Sequence, residues 1–171
     1  MRDQQFWPYT AGFFDGEGCI SVHPLLRRGY VKGIQVTCHI YQKKPAVLFF
    51  IQNELNRRSI KNSVYAGKQC YTLNIGKRSA QIAFLRKIRI YSVVKAQEID
   101  YLLYELLPYF LANNTNFNRI FHRKTGTERK RVKLNTIELM KRIDTFRGMK
   151  HNRGSTVNTN TVRRLLGFKT R

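Results

Sequence analysis

Asp15 and Glu17 are the residues of this chain whose types and spacing most directly suggest chemistry. They flank one glycine in PYTAGFFDGEGCI, residues 8–20, where a short apolar helical run gives way to Asp-Gly-Glu-Gly and then to strand-like alternation. Two carboxylates at a helix C-terminus face the negative end of the macrodipole, a placement unfavourable by about 0.3–1 kcal/mol each. Stability alone would place Lys or Arg there. With 32 Lys and Arg against 10 Asp and Glu, a net charge of +22, the chain has few acids, so their position carries information. A carboxylate beside backbone carbonyls left unpaired at a helix end makes a hard oxygen site of the kind Mg²⁺ occupies, completed by water and substrate phosphates. The other reading is an ordinary helix stop, with Gly16 and Gly18 as the C-cap and both acids solvated.

The elements that position these acids follow from periodicity. A helix is expected over 8–16, with Pro8 at its first position and the small pair Ala11 and Gly12 offering a face for close approach by a second copy of itself. Residues 19–25 alternate as a strand, Ile20 and Val22 dry, Ser21 and His23 wet. After a basic turn at Arg27, Arg28, Gly29 and Tyr30, alternation resumes over 32–41. There Ile34, Val36, Cys38 and Ile40 share one face and Gln35, Thr37, His39 and Tyr41 the other, so the two strands form a hairpin. Pro45 opens a helix to about Arg57 with Leu48, Phe49, Ile51 and Leu55 as its apolar stripe. Strands over 60–66 and 70–75, joined at Gly67, form a second hairpin exposing Ser63 or Tyr65 on one strand and Cys70 and Thr72 on the other. Helices over 79–88 and 95–110 follow. Strands grouped in pairs imply an antiparallel sheet with helices on one side, an α+β domain.

Beyond Ala112 the character changes. Residues 112–171 hold 16 basic and 3 acidic residues among Asn, Thr and Gly. A helix is expected over 135–146 and a shorter one over 162–166. The rest reads as a basic arm that orders on a phosphate backbone, or as a disordered solubilising tail. A core of residues 1–112 and a basic, partly helical extension of residues 113–171, in contact with a polyanion on the first of these readings, are therefore expected.

Composition narrows the partners. A pI near 10.5 points to a polyanion, and nucleic acid leads, although a small ribosomal protein would show the same charge. No stretch approaches a membrane span and no signal-peptide segment opens the chain, so a soluble intracellular protein with no membrane partner is expected. Cys19, Cys38 and Cys70, and His23, His39, His122 and His151, make no metal-ligand spacing. The wet face of the sheet carries Ser21, His23, Gln35, Thr37, His39, Tyr41, Cys70 and Thr72, with Arg27, Arg28, Tyr30 and Lys32 at the hairpin tip. Such side chains suit base edges in a major groove, which admits a two-stranded ribbon, and the tip cations suit phosphates and guanine edges. The absence of any acid between residues 18 and 53 favours this over an ordinary solvated face.

TAGFFDGEG, residues 10–18, resembles the nine-residue motif of the LAGLIDADG homing endonucleases. Ala11, Gly12, Asp15 and Gly18 match by letter, Phe13 and Phe14 keep the apolar pair, and Glu17 takes the second acid position. The helix–hairpin–helix–hairpin–helix order, αββαββα, resembles that family's core over roughly residues 7–112, which implies a saddle-shaped DNA-binding sheet. One motif, with no second copy, resembles the homodimeric, intron-encoded branch. The resemblance implies that Glu17 binds metal with the Gly16 carbonyl as a second ligand. Asp15 would serve helix capping and, with Ala11 and Gly12, the dimer interface. It also implies that Gln42 orders water, that Lys95 supplies charge, and that Ala46 stands where some relatives carry arginine, passing any such role to Lys43 or Lys44. The implied activity is Mg²⁺-dependent hydrolysis of double-stranded DNA at a long near-palindromic site, leaving 3′ overhangs, in the service of intron homing. Mn²⁺ would substitute, and no small-molecule cofactor is implied. A binder of the same fold that does not cleave, such as an RNA-splicing maturase or a transcription factor, is the alternative. Glu17 in place of Asp adds one methylene at the metal position.

Overall fold

The structure, a computed structural model, describes residues 1–27, 30–112 and 136–149; Arg28 and Gly29 of the expected turn, and the expected segment 162–166, lie outside the described residues. The elements run α1 (Asp3–Glu17), β1 (Gly18–Arg27), β2 (Tyr30–Gln42), α2 (Ala46–Arg57), β3 (Ser63–Ala66), β4 (Tyr71–Ile75), α3 (Arg78–Arg89), α4 (Ala96–Tyr101), a turn of π geometry (Leu102–Leu106), α5 (Leu107–Ala112) and α6 (Thr136–Gly148). The strands form one open sheet in the order β1-β2-β4-β3, antiparallel where β4 meets β2 and β3. Among the described residues no helix is long and apolar enough to cross a membrane.

The chain divides into two compact units, Met1–Ser21 with Val36–Leu103 and Val22–Gln35 with Tyr104–Arg171. In the first, strand alternation places Ile20, Cys38, Ile40, Leu73 and Ile75 in the core, all without solvent exposure. Phe14 of α1, Leu48, Ile51 and Leu55 of α2, and Phe84, Leu85 and Ile88 of α3 are buried with them. Burying side chains of this size contributes about 1.5–3 kcal/mol each. The Phe14 ring meets Phe84 edge to face at 5.4 Å, tying α1 to α3. Phe49, expected on the stripe of α2, is instead exposed, because the buried apolar positions repeat at 48, 51 and 55.

The larger differences in boundary from expectation each have a physical cause. Helix α1 starts at Asp3 rather than Pro8. Its extra turn is held by the Arg2 carbonyl, which accepts the Gln5 and Phe6 amides at 3.0 Å, and by Arg58, whose guanidinium lies 4.3 Å from the centre of the buried Phe6 ring and pairs with Asp3 at 2.6 Å. The strand expected from residue 60 starts at Ser63. Ser59 has a positive φ of 58°, and the Ile60 amide bonds the Leu55 carbonyl at 3.0 Å, so this stretch closes α2 with a Schellman turn. The helix expected over 95–110 is divided by the π turn just before Pro108, whose ring lacks a donor and would crowd the Tyr104 carbonyl in a regular α-helix.

In the second unit, α6 buries Ile143 and Phe146. Its Arg142 bonds Glu138 at 2.7 Å and Glu105 at 3.0 Å and lies 4.8 Å from the centre of the Tyr109 ring.

Gln81, buried in α3, fixes the edge of the β2–β4 pairing. Its Nε2 donates to the carbonyls of Val36 at 2.6 Å and Ile75 at 2.9 Å, with that of Gly76 at 3.2 Å. One side chain thus serves neighbouring strands just where their ladder, which reaches Cys38 opposite Ile75, stops. Gln81→Leu removes the donor from buried carbonyls and is expected to cost about 2–4 kcal/mol. Urea unfolding should show a lower midpoint with an unchanged slope.

Candidate active site and nucleic-acid surface

The α1–β1 junction leaves no slack. The Gly18 amide bonds the Phe14 carbonyl, and a Cβ on Gly18 would collide with the Phe14 ring and with that carbonyl oxygen. Its φ of −82° is ordinary, so close approach, not backbone freedom, requires glycine here. Glu17, the last residue of α1, is presented at the surface, and among the described residues its carboxylate has no hydrogen bond or ion pair. Gly16 is exposed beside it, and its carbonyl belongs to the last turn, whose acceptors lack helical donors.

Asp15 is placed quite differently. Its carboxylate accepts four hydrogen bonds from the segment before α4: Ser92 Oγ at 2.5 Å and the backbone amides of Val93 at 2.7 Å, Val94 at 3.0 Å and Lys95 at 3.1 Å. Its donors lie in the turn that leads into α4, a position near a helix N-terminus where a negative charge is favourable. In return the Lys95 ammonium donates to the Asp15 carbonyl, a positive charge at the C-terminal end of α1. The electrostatic misfit expected of Asp15 is thereby resolved across two helices. Burial pushes the Asp15 carboxyl up, but the bonds from Ser92, Val93, Val94 and Lys95 outweigh it and hold the carboxyl below its ordinary value.

Gln42 ends β2, opposite Tyr71, and its Oε1 accepts the Lys43 amide at 3.0 Å. The hairpin β1–β2 brings its first and last residues to one end of the sheet, so Gln42 lies at the end where Glu17 enters. Beside Gln42, burial pushes the Tyr41 phenol up, with further contributions from Cys19, Tyr65 and Cys70. Ala46, at the start of α2, is exposed, with Lys43 and Lys44 exposed before it.

Ala11 does not lie on an open face. It is fully buried in its own chain, because the core side of α1 runs through Phe6, Trp7, Thr10, Ala11 and Phe14. Gly12 and Gly16 do lie open, with nothing within 4 Å of where a Cβ would stand. Tyr9 and the half-buried Phe13 stack beside them at 6.3 Å.

On the wet face, register sets Tyr41, Thr72 and Tyr65 in one row and His39, Asn74 and Ser63 in the next. Thr37 and Thr72, expected as exposed DNA contacts, are only 3% and 4% exposed. Thr72 lies between Tyr41 and Tyr65 in register, and the Thr37 hydroxyl is engaged by His39 Nε2 at 2.7 Å. His39 in turn stacks on Tyr41 at 5.7 Å. Ser21, Gln35, His39 and Cys70 are half-buried, Cys70 in the turn before β4, while Ser63 and Tyr65 are both exposed. His23 and Arg27 lie in β1, and Tyr30 and Lys32 in β2. Sequence reasoning missed Asn74 and Ser92. Strict alternation around Leu73 and Ile75 would have signalled Asn74, whereas nothing local marks Ser92.

Among the described residues no three His, Cys, Asp or Glu side chains gather. The donors at the α1 terminus, a carboxylate without a described partner and an orphan carbonyl, are all oxygen. That set fits Mg²⁺, which keeps several waters and takes one or two carboxylates with substrate phosphates.

No family model and no curated protein matches the sequence. Solved structures do match in fold. The homing endonuclease I-CvuI, in complex with its target in the presence of Ca, superposes with a TM-score of 0.68 at 18% identity, over 98% of each chain. The archaeal intron-encoded homing endonuclease I-Vdi141I, complexed with DNA, gives 0.63 at 16% identity over 96% of each chain. The LAGLIDADG meganuclease I-AabMI, bound to uncleaved DNA, gives 0.56 at 16% identity, over 98% of this chain but 51% of its own. The fold is therefore that of the LAGLIDADG homing endonucleases, an α+β arrangement on an open antiparallel sheet.

Asp15 gives this region a pH signature. Its carboxyl is held below the unfolded value of about 3.8, so its contribution to stability is complete above that pH and is lost as pH falls through the lower folded value. Asp15→Asn should cost about 2 kcal/mol at neutral pH and flatten the acid limb of the stability curve. Thermal unfolding from pH 7 down to about pH 2 measures both effects.

Proposed function

We propose that this chain is a site-specific double-strand DNA endonuclease that acts as a homodimer on a long near-palindromic site and leaves 3′ overhangs. The observation that carries the reading is the separation of the two acids: Asp15 is committed to four internal donors, while Glu17, two residues on, is exposed with no described partner. A carboxylate held at a rigid junction in a chain of charge +22, unused by the described residues, is available for a cation shared with DNA phosphate. The fold shared with I-CvuI and I-Vdi141I, both solved with DNA, supports the substrate. I-CvuI structures obtained in the presence of Mg and of Ca support a divalent ion.

Glu17 and the Gly16 carbonyl are the proposed holders of Mg²⁺, with Mn²⁺ able to substitute. A bound ion would supply charge that acidifies water and stabilises the phosphate transition state. Gln42, at the same end of the sheet, orients the attacking water through its side-chain amide. Lys95 adds positive charge near the reacting phosphate. Ser21, His23, Arg27, Arg28, Tyr30, Lys32, Gln35, His39 and Cys70 remain the proposed DNA contacts, joined by Tyr41 and Tyr65 in place of the covered Thr37 and Thr72. The basic extension beyond residue 112 adds backbone contacts. The reading includes a role in intron homing.

Dimerisation has its own support. Gly12 and Gly16 cost a helix about 1 kcal/mol each relative to alanine, and nothing described occupies the space a Cβ would take. Such glycines suit the close crossing of a second helix. The chain also spans about half of I-AabMI, as one half of a larger relative of this fold would. Tyr9 and Phe13 border the same stripe.

Selection of cleaved sites from a random duplex library with Mg²⁺ tests activity, specificity and two-fold symmetry together. On a selected site, Glu17→Gln should bind within about twofold of wild type and lose cleavage by about a thousandfold or more. Retained cutting removes Glu17 from the mechanism, and a wild type that binds but never cuts makes the chain a binder. Light scattering should give a dimer for the wild type, and Gly12→Leu should shift it toward monomer. A monomeric wild type, with or without DNA, defeats the assembly.

A further inference from the structure

The segment that delivers Lys95 is not held by hydrophobic packing. Between α3 and α4, Ile90 is 76% exposed and Val93 82%, with Tyr91 and Val94 also exposed, so its apolar side chains point outward. Apolar burial begins again only within α4, at Ile99. What fixes the segment is polar. Ser92 and Lys95 are 5% and 7% exposed, and Ser92 Oγ, together with the amides of Val93, Val94 and Lys95, converges on the single Asp15 carboxylate. The α3 end contributes the Ile88 carbonyl, which accepts the Tyr91 amide at 3.0 Å and the Ser92 amide at 2.9 Å.

We infer that Ser92 is a positioning residue for Lys95, acting through Asp15, and that this clamp, rather than hydrophobic contact, aligns the Lys95 ammonium with the end of α1. The inference rests on the endonuclease reading and on the charge role of Lys95 within it. The Lys95 ammonium bonds the Asp15 carbonyl, one peptide from Gly16 and two from Glu17. The Ser92 hydroxyl bonds the carboxylate of that same residue. One residue of α1 therefore receives both ends of the segment. Losing the Ser92 hydroxyl leaves three backbone donors on the carboxylate and lets the turn relax, displacing the ammonium without removing it.

The test is a double-mutant cycle on a cleaved duplex, at temperatures where unfolding curves show every variant folded. Ser92→Ala should reduce the single-turnover cleavage rate about ten- to a hundredfold while DNA affinity stays within about twofold of wild type. Hydrogen exchange at the Val93 and Val94 amides should quicken by about tenfold, a readout independent of cleavage. Ser92→Thr, which keeps the hydroxyl, should recover most of the loss. In a Lys95→Met background, Ser92→Ala should cost less than about twofold, because its effect passes through the missing ammonium. A Ser92→Ala protein that cuts like wild type, or one that loses the same factor with and without Lys95, overturns the clamp alone. A wild type that cuts nothing, or a Lys95→Met protein as fast as wild type, overturns the functional reading and the inference with it.

Discussion

The Asp15 carboxylate, with donors from Ser92 to Lys95 gathered on it, is the interaction on which the organisation of the site depends. Two helix ends that would each carry an unfavourable partial charge neutralise one another through it. The positive N-terminus of α4 receives a carboxylate, and the negative C-terminus of α1 receives the Lys95 ammonium. Residues 80 positions apart in sequence are thereby tied at both ends of a short segment. With Asp15 engaged in this way, Glu17 at the tip of α1 has no partner among the described residues.

Around that contact the first unit is built in layers of decreasing tolerance. Buried apolar side chains from α1, α2 and α3 cover one face of the sheet. Gln81 then reaches through this layer to carbonyls of β2 and β4, a polar contact inside an otherwise apolar region. The opposite face carries the polar and aromatic rows centred on β4. There Tyr41 and Tyr65, both exposed, flank the buried Thr72, while in the next row Ser63 is exposed and His39 half-buried.

Much of this was legible in the chain. Alternation around Ile20, Val36, Cys38 and Ile40 located the first hairpin and its dry face, and the spacing of Leu48, Ile51 and Leu55 located α2. The nine residues from Thr10 to Gly18 marked the junction of α1 and β1 at which Asp15 and Glu17 stand. What escaped were features created by distant partners. The first turn of α1 depends on Arg58, which comes from the far end of α2. The strand-like run at Ile60 is spent on closing that helix. The partner of Asp15 could not be read from any local pattern, because Ser92 precedes no acid three residues on and resembles no capping box. Burial of Thr37 and Thr72 depends on the size of neighbouring side chains, which parity alone does not register.

Gly18 illustrates how such a structure answers to mutation. Its hydrogen is all that fits between the start of β1 and the Phe14 ring. The ring in turn packs on Phe84, so an added methyl group would be felt from the helix tip through to α3. In a screen that scores survival of activity, this position would rank with the reactive side chains, although it has none. Intolerance there would measure the space available to the backbone, and a folding assay run beside the screen would separate it from the chemistry of Glu17.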